Sequence, residues 1–339
     1  METSAAKEQR KAGGPMATAE QAYFHSQLEQ RRERLLSALH SSADASLSDL
    51  LSEVDAALAR MDEGTYGMCE TCHDPVEKER LLSDPLVRFC LDHLTREEQR
   101  ALESDLELAA RIQKGLLPPP ELSAAGWQVR YHYEPAGPVS GDYCDVFETD
   151  GGLLFLFGDV SGKGVAASML MSHLHATFRS LARANLPLQR MVEAANRVFS
   201  ESTLAGQFAT LVVGRATDGG SVEFVSAGHL PVLHLGCNGA KSEGATGVPL
   251  GMFTNSHFPV HQLSLSDGEA LLVYTDGLSE ACNAASEEYG VKRVKEAAQR
   301  HYAAAPDRLI AGCLSDLQNF TAQTKRADDL SLLVLRRAA

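Results

Sequence analysis

Three consecutive prolines, Pro118, Pro119 and Pro120, divide this 339-residue chain into two stretches that obey different rules. Proline lacks a main-chain N–H and its ring collides with the preceding helical turn, so no helix runs through such a triplet. Before it, apolar residues recur at three- and four-residue steps. After it, short β-rich runs alternate with turns. One uniform architecture is thereby excluded, and the length suffices for one large domain and a small one.

Upstream, residues 1–18 read as a disordered tail. METSAAKEQRKAGGP has no apolar centre and so makes no secretory signal, and Met16 is an alternative start. From Gln21 to His40, Phe24, Leu28, Leu35, Leu36 and Leu39 mark one face of a helix. Ser41 to Ser46 is a polar turn. Leu47, Leu50, Leu51, Val54, Leu58 and Met61 mark a second helix that Gly64 closes. The pair predicts an antiparallel helical hairpin. A third helix is predicted over 95–117, with Thr95 and Glu98 as a capping box. Leu102, Leu106, Ala109, Ile112 and Leu116 form its single apolar seam, which needs either the following domain or a second copy of the chain as partner.

Downstream, WQVRYHY, LLFLFGDV, ATLVVG, VEFVSAG, VLHLG, EALLVYTDG and DLSLLVL read as strands. Helical patterns interrupt them near 165–183, 186–200, 291–302 and 306–320. Hairpin-like strands with two pairs of helices predict a layered α+β domain, not a parallel βαβ fold.

Composition narrows the chemistry. No apolar run reaches the ~18 residues of a membrane-spanning helix, and the sequence predicts a cytoplasmic protein with no membrane partner. A net charge of −14 argues against a broad nucleic-acid surface. Seven cysteines, an odd number, argue against a disulfide framework. Cys144, Cys237, Cys282 and Cys313 are scattered and read as small apolar residues.

Four segments set aspartate at or just beyond a strand end: SGDYCDVF with Asp142, LFLFGDVSGKG with Asp159, LLVYTDGLSEA with Asp276, and RADDLSLLVL with Asp328 and Asp329. Asp159 and Asp276 are expected to follow their strands, Asp142 and Asp328 to precede theirs. Taken singly, each is ordinary turn chemistry. If the strand ends converge, the carboxylates repel unless cations intervene. Hard oxygen donors favour Mg²⁺ or Mn²⁺, and two such ions activate a water for in-line attack on phosphorus. GDVSGKG is no nucleotide-binding loop: Gly158 and Gly162 are separated by three residues instead of four, and Gly164 follows Lys163 where Ser or Thr is required.

The remaining cysteines, Cys69, Cys72 and Cys90, form C-x₂-C-x₁₇-C-x₂-H with His93. That is structural zinc spacing, and Cys₃His closes a tetrahedron. His73 adjoins Cys72 and ranks below His93 as the fourth ligand.

The series SGDYCDVF, GDVSGKGVAASM, QFATLVVG, SAGHLPVL, GVPLG, LLVYTDGLSEA and DDLSLLVL resembles the PPM-type phosphatases of the SpoIIE/RsbU group, over about residues 120–336. The resemblance implies an α-β-β-α sandwich of two antiparallel sheets flanked by helices and a binuclear Mn²⁺ or Mg²⁺ centre. It implies hydrolysis of phosphoserine or phosphothreonine on a protein, usually a STAS-type anti-sigma-factor antagonist. It further implies that Asp159 bridges both metals and that the Val160 carbonyl completes one shell. Asp276 and Asp328 bind the other face, and Asp142 contributes directly or through water. Asp329 is a weaker candidate. The phosphate-gripping arginine of eukaryotic relatives has no counterpart here, which leaves phosphate to the metals and Lys163. His229 in SAGHLP matches a family motif residue, and a structural role is expected for it.

LSEVDAALARMDEGTYGMCETCHDPVEKERLLSDPLVRFCLDH resembles the TraR/DksA-type zinc finger with its helical hairpin, over about residues 20–98. It departs from that pattern at His93, where the family has cysteine. Relatives of that group insert an acidic tip into RNA polymerase. SSADASLSD has no clear version of that tip and the arms are short, so an interaction or sensory module is favoured over a polymerase ligand.

The predicted organisation is thus a tail over 1–18, a hairpin with zinc finger over 19–94, a linker helix over 95–119 and a phosphatase domain over 120–339. The linker helix is expected to support a homodimer. The competing expectation is a catalytically weak scaffold or transcription regulator acting through the finger.

Overall fold

The computed structural model describes residues 18–39, 45–94, 96–204, 206–322, 324, 326 and 328–338. The predicted tail up to residue 17, most of the turn after His40 and the Thr95 cap lie outside the described residues. The chain divides into two compact units, Met1–Ser104 and Asp105–Ala339. Among the described residues, no helix is long and apolar enough to cross a membrane.

In the first unit, α1 (Thr18–Leu39) and α2 (Ala45–Asp62) form the predicted hairpin. Their antiparallel sense is fixed by two contacts. Phe24 meets Tyr66, just beyond α2, at 5.9 Å between ring centroids, and Arg32 pairs with Asp55 further along. Phe24, Leu28, Leu35, Val54 and Ala57 are buried together with Tyr66, Cys69 and Cys90. The hairpin and the cysteine cluster therefore share one small core. Short α3 (Lys78–Ser83) and a 3₁₀ turn at Leu91–His93 complete the unit.

Helix α4 (Arg96–Leu116) contains the boundary between the units. Its predicted seam is partly covered: Leu102 and Ile112 are exposed, Leu106 and Ala109 are half-buried, and Leu116 packs against the core of the second unit. Among the described residues, its one fully buried side chain is the polar Gln113.

The second unit is a four-layer sandwich. One sheet runs β1 (Glu121–Ala124), β2 (Trp127–Glu134), β11 (Leu330–Arg337), β10 (Ala270–Tyr274), β7 (Val232–Gly236), β8 (Gly239–Glu243). The other runs β3 (Tyr143–Thr149), β4 (Gly152–Val160), β5 (Ala209–Ala216), β6 (Ser221–Ala227), β9 (His261–Ser264). All strand pairs within them are antiparallel. Sequence patterns marked most of these strands but not the short edge strands β1, β8 and β9.

The strands read as continuous apolar runs because both faces of each sheet are covered. Successive side chains alternate sides. In β4, Leu153, Phe155 and Phe157 point into the layer between the sheets, with Trp127, Val273 and Leu333. Leu154 and Leu156 point outward to α5 (Gly164–Leu181) and α6 (Leu188–Ser202). The outer face of the other sheet packs on α8 (Gly290–His301) and α9 (Pro306–Thr321). Between β10 and α8, α7 (Asp276–Ser279) is a single turn. Buried Asp145 on β3 takes a two-pronged ion pair from Arg179 of α5, 2.7 Å at each contact, which orients that helix.

Candidate metal centre

The aspartates gather where β4, β10, β11 and the loop before β3 end. Asp159 is the penultimate residue of β4, where it was expected to follow the strand. The ladder continues through it, with Asp159 opposite Thr210 and Val160 opposite Ala209. Gly141 lies beside this strand end and its carbonyl accepts the Val160 N–H. A Cβ at Gly141 would sit 2.9 Å from the Val160 carbonyl oxygen and 3.0 Å from Asp159 Oδ1. Two hard oxygen donors thus border one small space that only glycine leaves open.

Asp276 opens α7 directly after β10. A Cβ at Gly277 would run into the Asp329 carbonyl, so the turn carrying Asp276 lies tight against the start of β11. Asp328 Oδ2 holds Lys163 Nζ at 2.8 Å. Among the described residues, that is the ion pair found on these carboxylates.

Asp142 and Asp329 are used differently. Asp142 is 2% exposed. Its Oδ2 accepts from Ser331 Oγ at 2.5 Å and from Thr275 Oγ1 at 3.2 Å. Asp329 accepts from Ala136 N at 2.7 Å, Ser140 Oγ at 2.6 Å and Gly141 N at 3.1 Å. It therefore ties the loop that carries Gly141 and Asp142 to β11. Gln113 of α4 holds the same loop from another side: its Nε2 donates to the Ser140 carbonyl at 2.7 Å, and its Oε1 accepts the Ser140 N–H at 3.0 Å. Sequence reasoning missed Gln113, Ser140, Thr275 and Ser331. Gln113 sits next to the apolar seam in a helix read for its apolar spacing, and hydroxyls beside an acid carry no pattern of their own.

The electrostatics record the crowding. Burial, then Asp276, Asp328 and Asp329, push the Asp159 carboxyl up to about 7. Burial and Asp159 push Asp142 well upward, partly offset by the Ser331 hydroxyl. Burial and Asp328 raise Asp276. Hard oxygens, raised carboxylates and a glycine-opened space suit divalent cations. Among the described residues, these carboxylates are not drawn together as the ligands of a single ion.

The cysteine cluster is compact. The ligand atoms of Cys69, Cys72, Cys90 and His93 lie within 4.8 Å of one another. Cys72 and Cys90 sulfurs are 3.7 Å apart and Cys90 Sγ is 3.2 Å from His93 Nδ1. A tetrahedral zinc with ordinary zinc–sulfur bonds spaces its sulfurs by about 3.8 Å. Burial opposes a thiolate at Cys69, but main-chain donors of Cys72, Cys90 and Thr71 outweigh it and bring its pKa down to about 6. The residues fit a zinc ion. His73 is outside the group.

The raised carboxylates set a pH dependence. An unfolded aspartate ionises in its ordinary range, whereas folded Asp159 keeps its proton up to about 7. Between those limits the folded chain binds more protons, so metal-free stability falls as pH rises. The metal-free chain is expected to melt higher at pH 6 than at pH 8, and Asp159→Asn is expected to shrink that difference in thermal scans. An undiminished difference in the variant contradicts the assignment.

Comparison with known proteins agrees with this architecture. Residues 149–338 match the family model of Stage II sporulation protein E (SpoIIE), and residues 64–99 match that of the prokaryotic dksA/traR C4-type zinc finger. Protein IcfG of Synechocystis sp. is 29% identical over 235 residues, covering 60% of this chain and 37% of that protein's length. Phosphoserine phosphatase RsbU of Bacillus subtilis is 24% identical over 245 residues, covering 70% of this chain and 72% of RsbU. The SiaA-PP2C domain of Pseudomonas aeruginosa superposes with a TM-score of 0.62 at 15% identity, covering 72% of this chain and 99% of that one, and so shares the fold. The two-sheet sandwich, the order of its aspartate segments and the SpoIIE match over more than half the chain place this protein in the SpoIIE family of PPM-type phosphatases, with a dksA/traR-type zinc finger ahead of the phosphatase fold.

Proposed function

We propose that the chain is a metal-dependent protein serine/threonine phosphatase of bacterial signalling, and that its finger is a regulatory module. The observation that carries this is the space beside Gly141, bordered by Asp159 Oδ1 and the Val160 carbonyl, with Asp276 and Asp328 near enough to raise the Asp159 carboxyl. Asp159 would bridge two Mn²⁺ or Mg²⁺ ions, with the Val160 carbonyl, Asp276 and Asp328 as further ligands. Asp142 would contribute through water or through one free oxygen. Bound there, the cations would lower the pKa of water so that it gives up a proton to solvent and attacks phosphorus as hydroxide, and they would offset the charge that develops on phosphate.

The chain's own groups prepare that chemistry. Asp329 and Gln113 hold the 136–141 loop in place. Thr275 and Ser331 keep Asp142 aimed and hydrogen-bonded while buried. Lys163, already on Asp328, stands at the rim where a phosphate would approach a carboxylate-rich surface. The similarity to RsbU, a phosphoserine phosphatase, supports phosphoserine as substrate. The substrate we favour is a phosphorylated STAS-type anti-sigma-factor antagonist in the cytoplasm. The finger would hold one structural zinc through Cys69, Cys72, Cys90 and His93. Exposed Leu102, Leu108 and Ile112 on α4 suit pairing with a second copy of the chain.

Purified full-length chain with Mn²⁺ is expected to release phosphate from a phosphoserine-bearing STAS protein. Asp159→Ala is expected to cut that rate about a hundredfold or more, because cation charge stabilisation is worth several kcal/mol. Retained activity in the variant, or none in the parent on this substrate and on an aryl phosphate alike, overturns the proposal. For the finger, Cys69→Ser is expected to take elemental zinc from one ion per chain to none. Unchanged zinc content removes the finger assignment.

A further inference from the structure

One buried imidazole sits in the turn that passes from one sheet to the other. His229 follows Gly228 in the turn between β6 and β7 and is 5% exposed. Its Nδ1 lies 3.0 Å from Thr210 Oγ1. Thr210 faces Asp159 across the β4–β5 ladder, and its hydroxyl is 3.5 Å from the Asp159 carbonyl oxygen. The ring also meets Phe157 of β4 edge-on, with centroids 5.9 Å apart. The main chain of Tyr274, the last residue of β10 and two before Asp276, lies near enough to the imidazole to favour its protonated form. Its Nε2 is buried without a well-formed hydrogen bond.

Proton placement follows from burial. Enclosure brings the His229 pKa down to about 4, so the ring is neutral. A neutral imidazole has one N–H and one lone pair. With the proton on Nε2, Nδ1 accepts the single proton of the Thr210 hydroxyl, and the N–H is left on the Tyr274 side without a well-formed hydrogen bond. The link to the Asp159 strand then runs through the main-chain pairing of Thr210 with Asp159, and the ring spans from there to the Tyr274 main chain.

Other roles fit less well. A nitrogen ligand is out of character in a carboxylate and carbonyl donor set. As plain filling, histidine is a poor choice, because an apolar side chain avoids burying a polar atom that lacks a full partner. The surrounding inter-sheet layer is otherwise apolar, with Phe157, Val212 and Val273.

We propose that His229 is a positioning residue, a strut across the sandwich that sets the distance between the Asp159 strand and the Asp276 turn and thereby the affinity for divalent cations. The proposal rests on the metal-centre assignment made above. It gives the SAGHLP turn a task that acts through the ligands and not on the reacting atoms.

Calorimetric Mn²⁺ titration of the full chain tests it, with thermal scans and aryl phosphate hydrolysis alongside. His229→Leu is expected to weaken Mn²⁺ binding about tenfold, the usual scale for losing a partner that orients ligands. Hydrolysis is expected to return at saturating Mn²⁺. Thr210→Val, nearly isosteric, is expected to weaken binding in the same direction, and His229→Gln to recover part of the loss. Asp159→Ala is the control and is expected to lose tight binding. A His229→Leu chain with parental Mn²⁺ affinity, even with a lowered melting temperature, overturns the strut while leaving the control intact. Parental affinity in Asp159→Ala overturns the metal-centre assignment itself. If His229→Leu does not fold, Thr210→Val carries the test, and parental affinity there overturns the strut.

Discussion

Mutual repulsion among Asp142, Asp159, Asp276, Asp328 and Asp329 is the constraint around which the second unit is organised. Carboxylates brought together in a partly buried space resist ionising together, and Asp142, Asp159 and Asp276 are displaced upward by burial first and by their neighbouring acids second. The fold nevertheless holds them near one another. It does so by giving each acid a different restraint. Asp159 is locked into a strand ladder. Asp276 is held by a glycine turn pressed on β11. Asp142 is surrounded by hydroxyl donors, and Asp329 spends its oxygens on the loop opposite. Lys163 gives Asp328 a partner of opposite charge.

These restraints come from both sheets and from a helix outside them. β4 belongs to one sheet, β10 and β11 to the other, and the inter-sheet layer of Phe155, Phe157, Val273 and Leu333 sets their separation. Gln113 adds a contact from α4 to the Ser140 main chain, two residues from Asp142. The geometry of the acids therefore depends on sandwich packing and on the end of a helix whose outer apolar residues remain open.

Much of this was legible before any coordinates. Strands with both faces covered announce themselves as apolar runs, and Asp159, Asp276 and Asp328 follow or precede such runs. Spacing alone located Cys69, Cys72, Cys90 and His93, because short knuckles bring ligands together locally. What stayed hidden depends on distant partners. Asp142 reads like its fellow acids, yet its neighbours Ser331 and Thr275 come from far along the chain. Asp329 looked secondary to Asp328, and it is the residue that anchors the 136–141 loop. The apolar spacing of α4 pointed to a seam in need of a partner, and gave no sign that its fully enclosed side chain would be the polar Gln113. Periodicity reports which residues share a face, not which face meets a partner.

The central claim is that these acids hold two cations as one unit. Electron paramagnetic resonance of the Mn²⁺-loaded full chain addresses it directly. Two-metal sites keep their ions about 3.5–4 Å apart, so the account calls for an exchange-coupled signal at two Mn²⁺ per chain that disappears in Asp159→Asn. A signal of isolated Mn²⁺ alone, or a coupled signal that survives in the variant, would contradict it.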